Sequence, residues 1–177
     1  MRRICTGLAT AEGGEAFAKA ALERLGGIDI LAHVVGGSAS PAGGFAALTD
    51  DHWIAELNLN LLASVRLDRL LIPQMLEQGK GTVVHVTSIQ SVLPLPGSTT
   101  GYAAAKAALR AYSKLISKEL GSKGVQINSV LPGWIMTEAT GDFLEILRAA
   151  NGGTVEDARQ FVLDALGGDL YRARSRA

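Results

Sequence analysis

The sequence predicts an α/β fold with a parallel sheet, and three observations carry that prediction. Three short apolar runs, 28–35, 81–87 and 125–131, end at Gly36-Gly37, Ser88 and Pro132-Gly133. Near-continuous apolar runs of this length suit parallel strands covered on both faces. Longer segments of helical pattern separate these runs, so strands and helices alternate. Finally, 21 glycines against only 5% aromatic residues favour tight strand-to-helix turns and close backbone packing over a core of large rings.

Taken in order, Ala11 to Leu25 reads as a helix with Ala16, Ala20 and Phe17 on its apolar stripe, stopped at Gly26-Gly27. The run 28–35 is the first strand. Thr49 or Asp50 can cap a long helix carrying Trp53, Leu57, Leu61, Leu70 and Leu71, and Pro73 should bend it near its end. The run 81–87 is the next strand. Tyr102 to Leu120 is alanine-rich and helical, ending at Gly121 before the strand 125–131. Two shorter helices are expected after residue 137, separated by Asn151-Gly152-Gly153. Thr154 with Asp157 forms a capping-box pattern at the start of the second.

The 177 residues suit one domain with a core of its own, and 47% hydrophobic residues are a folding composition. Seventeen basic residues balance seventeen acidic ones, which argues against nucleic acid or an anionic membrane as partner. The single Cys5 excludes an internal disulfide framework and fits a reducing, cytoplasmic setting. No apolar run approaches the roughly 18 residues of a membrane span. His33 reads as a hydrogen-bonded structural residue and His85 as core. Three histidines so far apart in sequence offer no ligand spacing, so no metal is predicted.

Ligands of parallel sheets collect at the carboxyl ends of the strands, here Gly36-Gly37-Ser38, Thr87-Ser88 and Pro132 to Thr137. The sharpest chemical feature is Tyr102 followed at i+4 by Lys106, which puts a phenol and an ammonium on one helix face. A free phenol has a pKa of about 10, and a neighbouring cation lowers it toward use as a general acid or base. By itself the pair equally suits a tyrosine at a helix start followed by an exposed lysine. Ser88 could hydrogen-bond a carbonyl or merely end a strand. Asn60 sits among leucines in the long helix and needs a partner if buried, with Asn58 an equally apolar-flanked competitor.

From about residue 6 to 166, five motifs in order make the chain resemble the short-chain dehydrogenase/reductase family. Residues 29–36 resemble the strand that ends Asn-Asn-Ala-Gly in the family. Asn60, thirteen residues before Pro73, stands at the active-site asparagine position. Residues 86–89 resemble the strand ending in the catalytic serine, Tyr102 to Lys106 is the Tyr-x-x-x-Lys signature, and 132–137 match Pro-Gly-x-Ile-x-Thr. The resemblance implies a Rossmann-like three-layer fold and hydride transfer between NAD or NADP and a small alcohol or carbonyl substrate. In that scheme Tyr102 exchanges the proton, Ser88 holds the substrate oxygen, and Lys106 binds the nicotinamide ribose and depresses the Tyr102 pKa. Asn60 positions a relay water. Gly36, Tyr102, Lys106, Pro132, Gly133, Ile135 and Thr137 become the cofactor-binding set. The resemblance also implies a homo-oligomer through helices at about 50–79 and 101–121.

The family pattern is not met at the ends. The Thr-Gly-x-x-x-Gly-x-Gly turn is missing, and Thr6-Gly7-Leu8-Ala9-Thr10 falls where the family's third strand ends. The expectation is a single incomplete Rossmann-like domain over 1–177, lacking the first βαβ unit and the last strand, and binding nicotinamide nucleotides weakly or not at all. Residues 134–166 would form a substrate flap with Trp134, Phe143, Leu147 and Phe161 to line it, and 167–177 a basic tail with Arg172, Arg174 and Arg176. The alternative reading is a catalytically incompetent, truncated family member acting as a dimerising or interaction module. The sequence names neither the substrate nor the choice between NAD and NADP.

Overall fold

The computed structural model describes residues 7–165 apart from 96, 98, 134, 136 and 137. Three strands, β1 (Ile30–His33), β2 (Gly81–Val86) and β3 (Val125–Val130), form a parallel sheet in the order β1-β2-β3. The register pairs His33 with His85 and Val86 with Val130. The strands sit inside the predicted runs, and each is shorter than its run because ladder pairing stops where the chain turns into the loops above the sheet.

Helix α1 (Ala11–Leu25) is capped by the Thr10 side chain, which accepts from the Gly13 N–H, and it ends on left-handed Gly26. Its buried stripe is Gly14, Ala18 and Ala21, not Ala16 and Ala20. In an alanine-rich helix the apolar pattern points several ways, and packing against the next long helix selects the face. That long helix runs as α2 (Asp50–Leu57), a π-helical turn (Asn58–Leu62) and α3 (Ala63–Gln78), continuing through Pro73 to left-handed Gly79. Thr49 caps it, and His52 returns the bond to the Thr49 N–H. Helix α4 (Thr100–Leu120) passes through Gly121 into a short 3-10 turn, and the left-handed stop is Gly124. Helices α5 (Glu138–Asn151) and α6 (Val155–Ala165) follow. The expected Thr154–Asp157 box is present, with reciprocal bonds of 2.8 and 3.2 Å.

Burial alternates along the strands. Leu31, His33, Val83, His85, Val125 and Ile127 are buried, whereas Ile30, Ala32, Gln126 and Asn128 are exposed. The buried face packs on α3 and α4, with α1 lying against α3, and the core so formed includes Ala18, Ala21, Leu67, Leu71, Met75 and Leu120. Among the described residues only this face of the sheet is covered, so the Rossmann-like α/β architecture is present in part. A second, smaller core joins α5 and α6 to the segment after β2 through Leu95, Leu144, Leu147, Ala158 and Val162. No helix among the described residues is long and apolar enough to cross a membrane.

Candidate active site

The three strands end on the same side, and their following loops meet there. The Thr87 N–H donates to the Val130 carbonyl and the Ile89 N–H to the Pro132 carbonyl, both at 2.9 Å, which ties the loop after β2 to the loop after β3. Ser88 sits in this clamp in extended conformation and caps the short turn Ile89–Ser91, accepting from the Gln90 N–H at 3.2 Å. Tyr102, in the first turn of α4, brings its phenol close enough to the Ser88 side chain for the serine to oppose the rise of its pKa. Both line a cleft of about 530 Å³ whose walls include Ser38, Thr87, Pro132, Gly133 and Ile135.

Lys106 and Asn60 lie behind this wall, both almost wholly buried. The Lys106 ammonium donates to the carbonyls of Val86 (3.1 Å), the last residue of β2, and of Val35 (3.3 Å), two residues past the end of β1. Asn60 is held by a two-way bond with the Gly37 backbone: its Nδ2 donates to the carbonyl at 2.8 Å and its Oδ1 accepts from the N–H at 3.0 Å. Gly36 is where these parts converge. A Cβ there would come within 2.7 Å of Lys106 Nζ and 3.0 Å of Asn60 Oδ1, so any side chain at this position would displace the lysine and crowd the asparagine. The competitor Asn58 is half-buried and accepts from Arg66 at 2.6 Å, outside this cluster.

The structure therefore brings Asn60, Ser88, Tyr102, Lys106 and Gly36 together, with Pro132, Gly133 and Ile135 on the facing wall. Thr137 lies outside the described residues, as do Trp134, Cys5 and the 167–177 tail. Of the residues expected to line a flap, Phe143 reaches the cleft. Leu147 is buried in the smaller core and Phe161 is half exposed, because α5 and α6 spend their apolar faces on each other and on Leu95.

The electrostatics correct one expectation. Lys106 was expected to pull the Tyr102 pKa down, but the phenol is raised above its ordinary 10.0. Burial is the main cause, the Ser88 side chain opposes it, and the negative charge of Glu56 adds to the rise. Lys106 directs its ammonium to two backbone carbonyls, with its Nζ 5.9 Å from the Tyr102 ring centre. Burial pushes its own pKa down from 10.5 to about 8.

Two buried acids were not singled out by the sequence. Glu56 stands four residues before Asn60 and accepts from its Nδ2 at 2.8 Å; an acid one helical turn from the asparagine was the available signal. Asp68 lies in the core under the sheet and bridges His33 (2.8 Å) and His85 (2.9 Å), whose rings stack 4.9 Å apart. Sequence spacing could not reveal this group, because strand register sets the two histidines side by side. The three could hold a metal ion, their ligand atoms lying within 4.8 Å of one another. A further groove of about 650 Å³ between α4 and β3, lined by Arg110, Lys114 and Asn128 among others, contains none of the expected site residues.

Comparison with known proteins gives the family. The family model described as short chain dehydrogenase matches residues 3–146. Nodulation protein G of Rhizobium meliloti is 32% identical over 133 residues, which cover 75% of this chain and 53% of that protein. The 3-oxoacyl-(acyl-carrier-protein) reductase FabG of Vibrio harveyi is 31% identical over 148 residues, covering 84% of this chain and 59% of that protein. Among solved structures, L-sorbose reductase from Gluconobacter frateurii, complexed with NADPH and L-sorbose, aligns with a TM-score of 0.78 at 31% identity. That alignment covers 91% of this chain and 60% of the reductase. The chain belongs to the short-chain dehydrogenase/reductase family. It spans about half the length of the curated relatives it matches.

Proposed function

We propose that this chain carries the catalytic part of an NAD(P)-dependent oxidoreductase that reduces a small carbonyl substrate to an alcohol. The observation that carries the reading is the Ser88–Tyr102 hydroxyl pair on one wall of a cleft, backed by buried Lys106 and Asn60. The relatives' names support reduction as the physiological direction, since both the 3-oxoacyl and the L-sorbose enzymes are reductases.

The chain's own residues suit that direction. A phenol raised by burial stays protonated at neutral pH, so Tyr102 is a donor to the oxygen of a carbonyl as negative charge develops there. Ser88 Oγ, fixed by the clamp between two loops, is placed to hydrogen-bond the same oxygen. The nicotinamide nucleotide, when bound, supplies the hydride. Gly36 keeps the floor of the site free of a side chain. Lys106 would hold the nucleotide's ribose hydroxyls, while Pro132, Gly133 and Ile135 would face its ring. The cofactor-binding role of Thr137, the 134–166 flap and a cytoplasmic setting belong to this same proposal. So does weak nucleotide binding, because the described sheet has only three strands and no glycine-rich turn for the pyrophosphate.

The test is ketone reduction by the purified chain at millimolar NADH or NADPH, with Tyr102→Phe as control. Loss of roughly a hundredfold or more in turnover is expected for the variant, the scale of general acid catalysis. Turnover unchanged in Tyr102→Phe would refute the mechanism. Low-micromolar binding of either nucleotide by calorimetry would refute the weak-binding expectation. A stable dimer whose melting temperature ignores both nucleotides, with no turnover, would favour the interaction-module reading instead.

A further inference from the structure

We infer that Glu56 is a positioning residue of this site, setting the orientation of Asn60 with one carboxylate oxygen and the place of Ser38 in the cleft wall with the other. The inference rests on the proposed function for its catalytic consequence, but its geometry stands apart from it. Glu56 is 3% exposed, one of two buried acids among the described residues. Its Oε2 accepts from Asn60 Nδ2 at 2.8 Å, and its backbone carbonyl accepts from the same nitrogen at 3.2 Å. Its Oε1 accepts from the Ser38 hydroxyl and, at 2.7 Å, from Ser40.

A buried carboxylate is tolerated only when its oxygens are satisfied, and here three donors from two segments do so. The consequence for Asn60 is directional. An amide can flip by exchanging its O and N; the Gly37 N–H and carbonyl favour the orientation with Nδ2 inward, and Glu56 Oε2, as an acceptor, reinforces it from the other side. That orientation leaves Oδ1 for the Gly37 N–H, on the side where a Gly36 Cβ would meet both Oδ1 and Lys106 Nζ. Glu56 thereby helps keep the Asn60 carbonyl oxygen turned toward Gly37 and the space that Gly36 leaves open.

The other oxygen ties the loop after β1 to the same point. Ser38 lines the cleft next to Ser88 and Tyr102, whereas Ser40 and Glu56 line a separate cavity of about 130 Å³ with His52 and Leu59. Glu56 thus joins the smaller cavity, which it lines, to the cleft wall through its bond to Ser38. The fit extends to α4: a Cβ on Gly101, the residue before Tyr102, would come within 2.9 Å of Glu56 Cγ. One carboxylate therefore lies against the mounts of Asn60, Ser38 and Tyr102.

The test compares wild type, Glu56→Gln and Glu56→Asp. The Asn60 side-chain NH₂ pair is followed by nitrogen-edited NMR, assigned by its disappearance in Asn60→Asp, alongside kcat and KM for ketone reduction. In Glu56→Gln one carboxylate oxygen becomes a donor and the remaining acceptor is neutral, hence weaker, so the Asn60 NH₂ signals shift and exchange faster with solvent. The kcat falls by about ten- to a hundredfold, the scale on which a displaced supporting group slows a reaction, with a smaller change in KM. Glu56→Asp, which keeps the charge on a shorter stem, restores part of both readouts. Unmoved Asn60 signals in Glu56→Gln would overturn the inference, as would shifted signals with kcat kept within about twofold of an active wild type. If wild type reduces no ketone, the proposed function fails on that result alone, and the NMR comparison decides the role of Glu56. If Glu56→Gln does not fold, Glu56→Asp carries the comparison by itself.

Discussion

At the scale of single residues, burial moves Tyr102 and Lys106 in opposite senses, and for the same reason. Each loses hydration of its charged form, so the phenol holds its proton more tightly and the ammonium less. For Lys106 this links folding to pH. Its pKa is about 8 in the fold against an ordinary 10.5, so between these values the unfolded chain binds more protons. Stability contributed by this position therefore rises with pH across that window, and below it the buried ammonium costs stability. In urea melts at about pH 7 and about pH 9.5, wild type should gain on Lys106→Met as pH rises, whereas parallel curves would contradict the assignment. Reduction should also slow as pH rises through about 8, where the Lys106 cation is lost, with Tyr102 still protonated. The Tyr-x-x-x-Lys pair was legible in the sequence. The sign of the tyrosine's shift was not, because it depends on depth of burial and on Glu56.

At the scale of elements, the long helix does two jobs on different turns. Its π-helical turn, Asn58–Leu62, carries Asn60 toward the site, and two turns later Asp68 enters the core beneath β1 and β2. We propose that the Asp68–His33–His85 group is a structural hydrogen-bond network. Both carboxylate oxygens already hold an imidazole, and the second ring nitrogen of His85 is bonded to Ser113 at 3.1 Å. Burial alone would raise the Asp68 carboxyl, but the hydrogen bonds and charges of the two histidines outweigh it and hold the group below 3.8. Its contribution is therefore present above the ordinary carboxylate range and lost as pH falls through the lower folded value. Asp68→Ala should cost about 3–5 kcal/mol, the penalty for breaking a buried pair on one side. Elemental analysis should find no stoichiometric metal, and one zinc per chain would make the group a metal site instead. Helix and strand positions were readable from periodicity to within a few residues. The α1 stripe was misread, since alanine on several faces gives the pattern no preferred direction until α3 supplies a surface.

At the scale of the whole molecule, the three-stranded sheet of the described residues is covered on one face and leaves apolar side chains exposed. Ile30 and Val34 are each 71% exposed, and on the helices Ile54 is 56% and Leu115 68% exposed. We propose that the chain self-associates through the helices at about 50–79 and 101–121, where Ile54 and Leu115 project. Sedimentation should then show a dimer or larger species that Leu115→Glu shifts toward monomer without loss of helical signal. A monomeric wild type at high concentration would refute this. A like substitution at Ile30, on the open sheet face, should leave the helix-mediated species intact.

The sequence alone determined the alternation of strand and helix, the stop of the first helix at Gly26 and the i+4 pair of Tyr102 and Lys106, because periodicity, capping and spacing are local properties, while Asn60 and Ser88 were picked out by the resemblance of their motifs to the family. Only the tertiary structure decided which asparagine is buried, that Gly36 makes room for Lys106 and Asn60, and that Glu56 and Asp68 are the acids on which the site and the core turn. Those outcomes depend on strand register and on which helix face meets which neighbour. Both are set by packing between segments distant in sequence, where no local pattern records them.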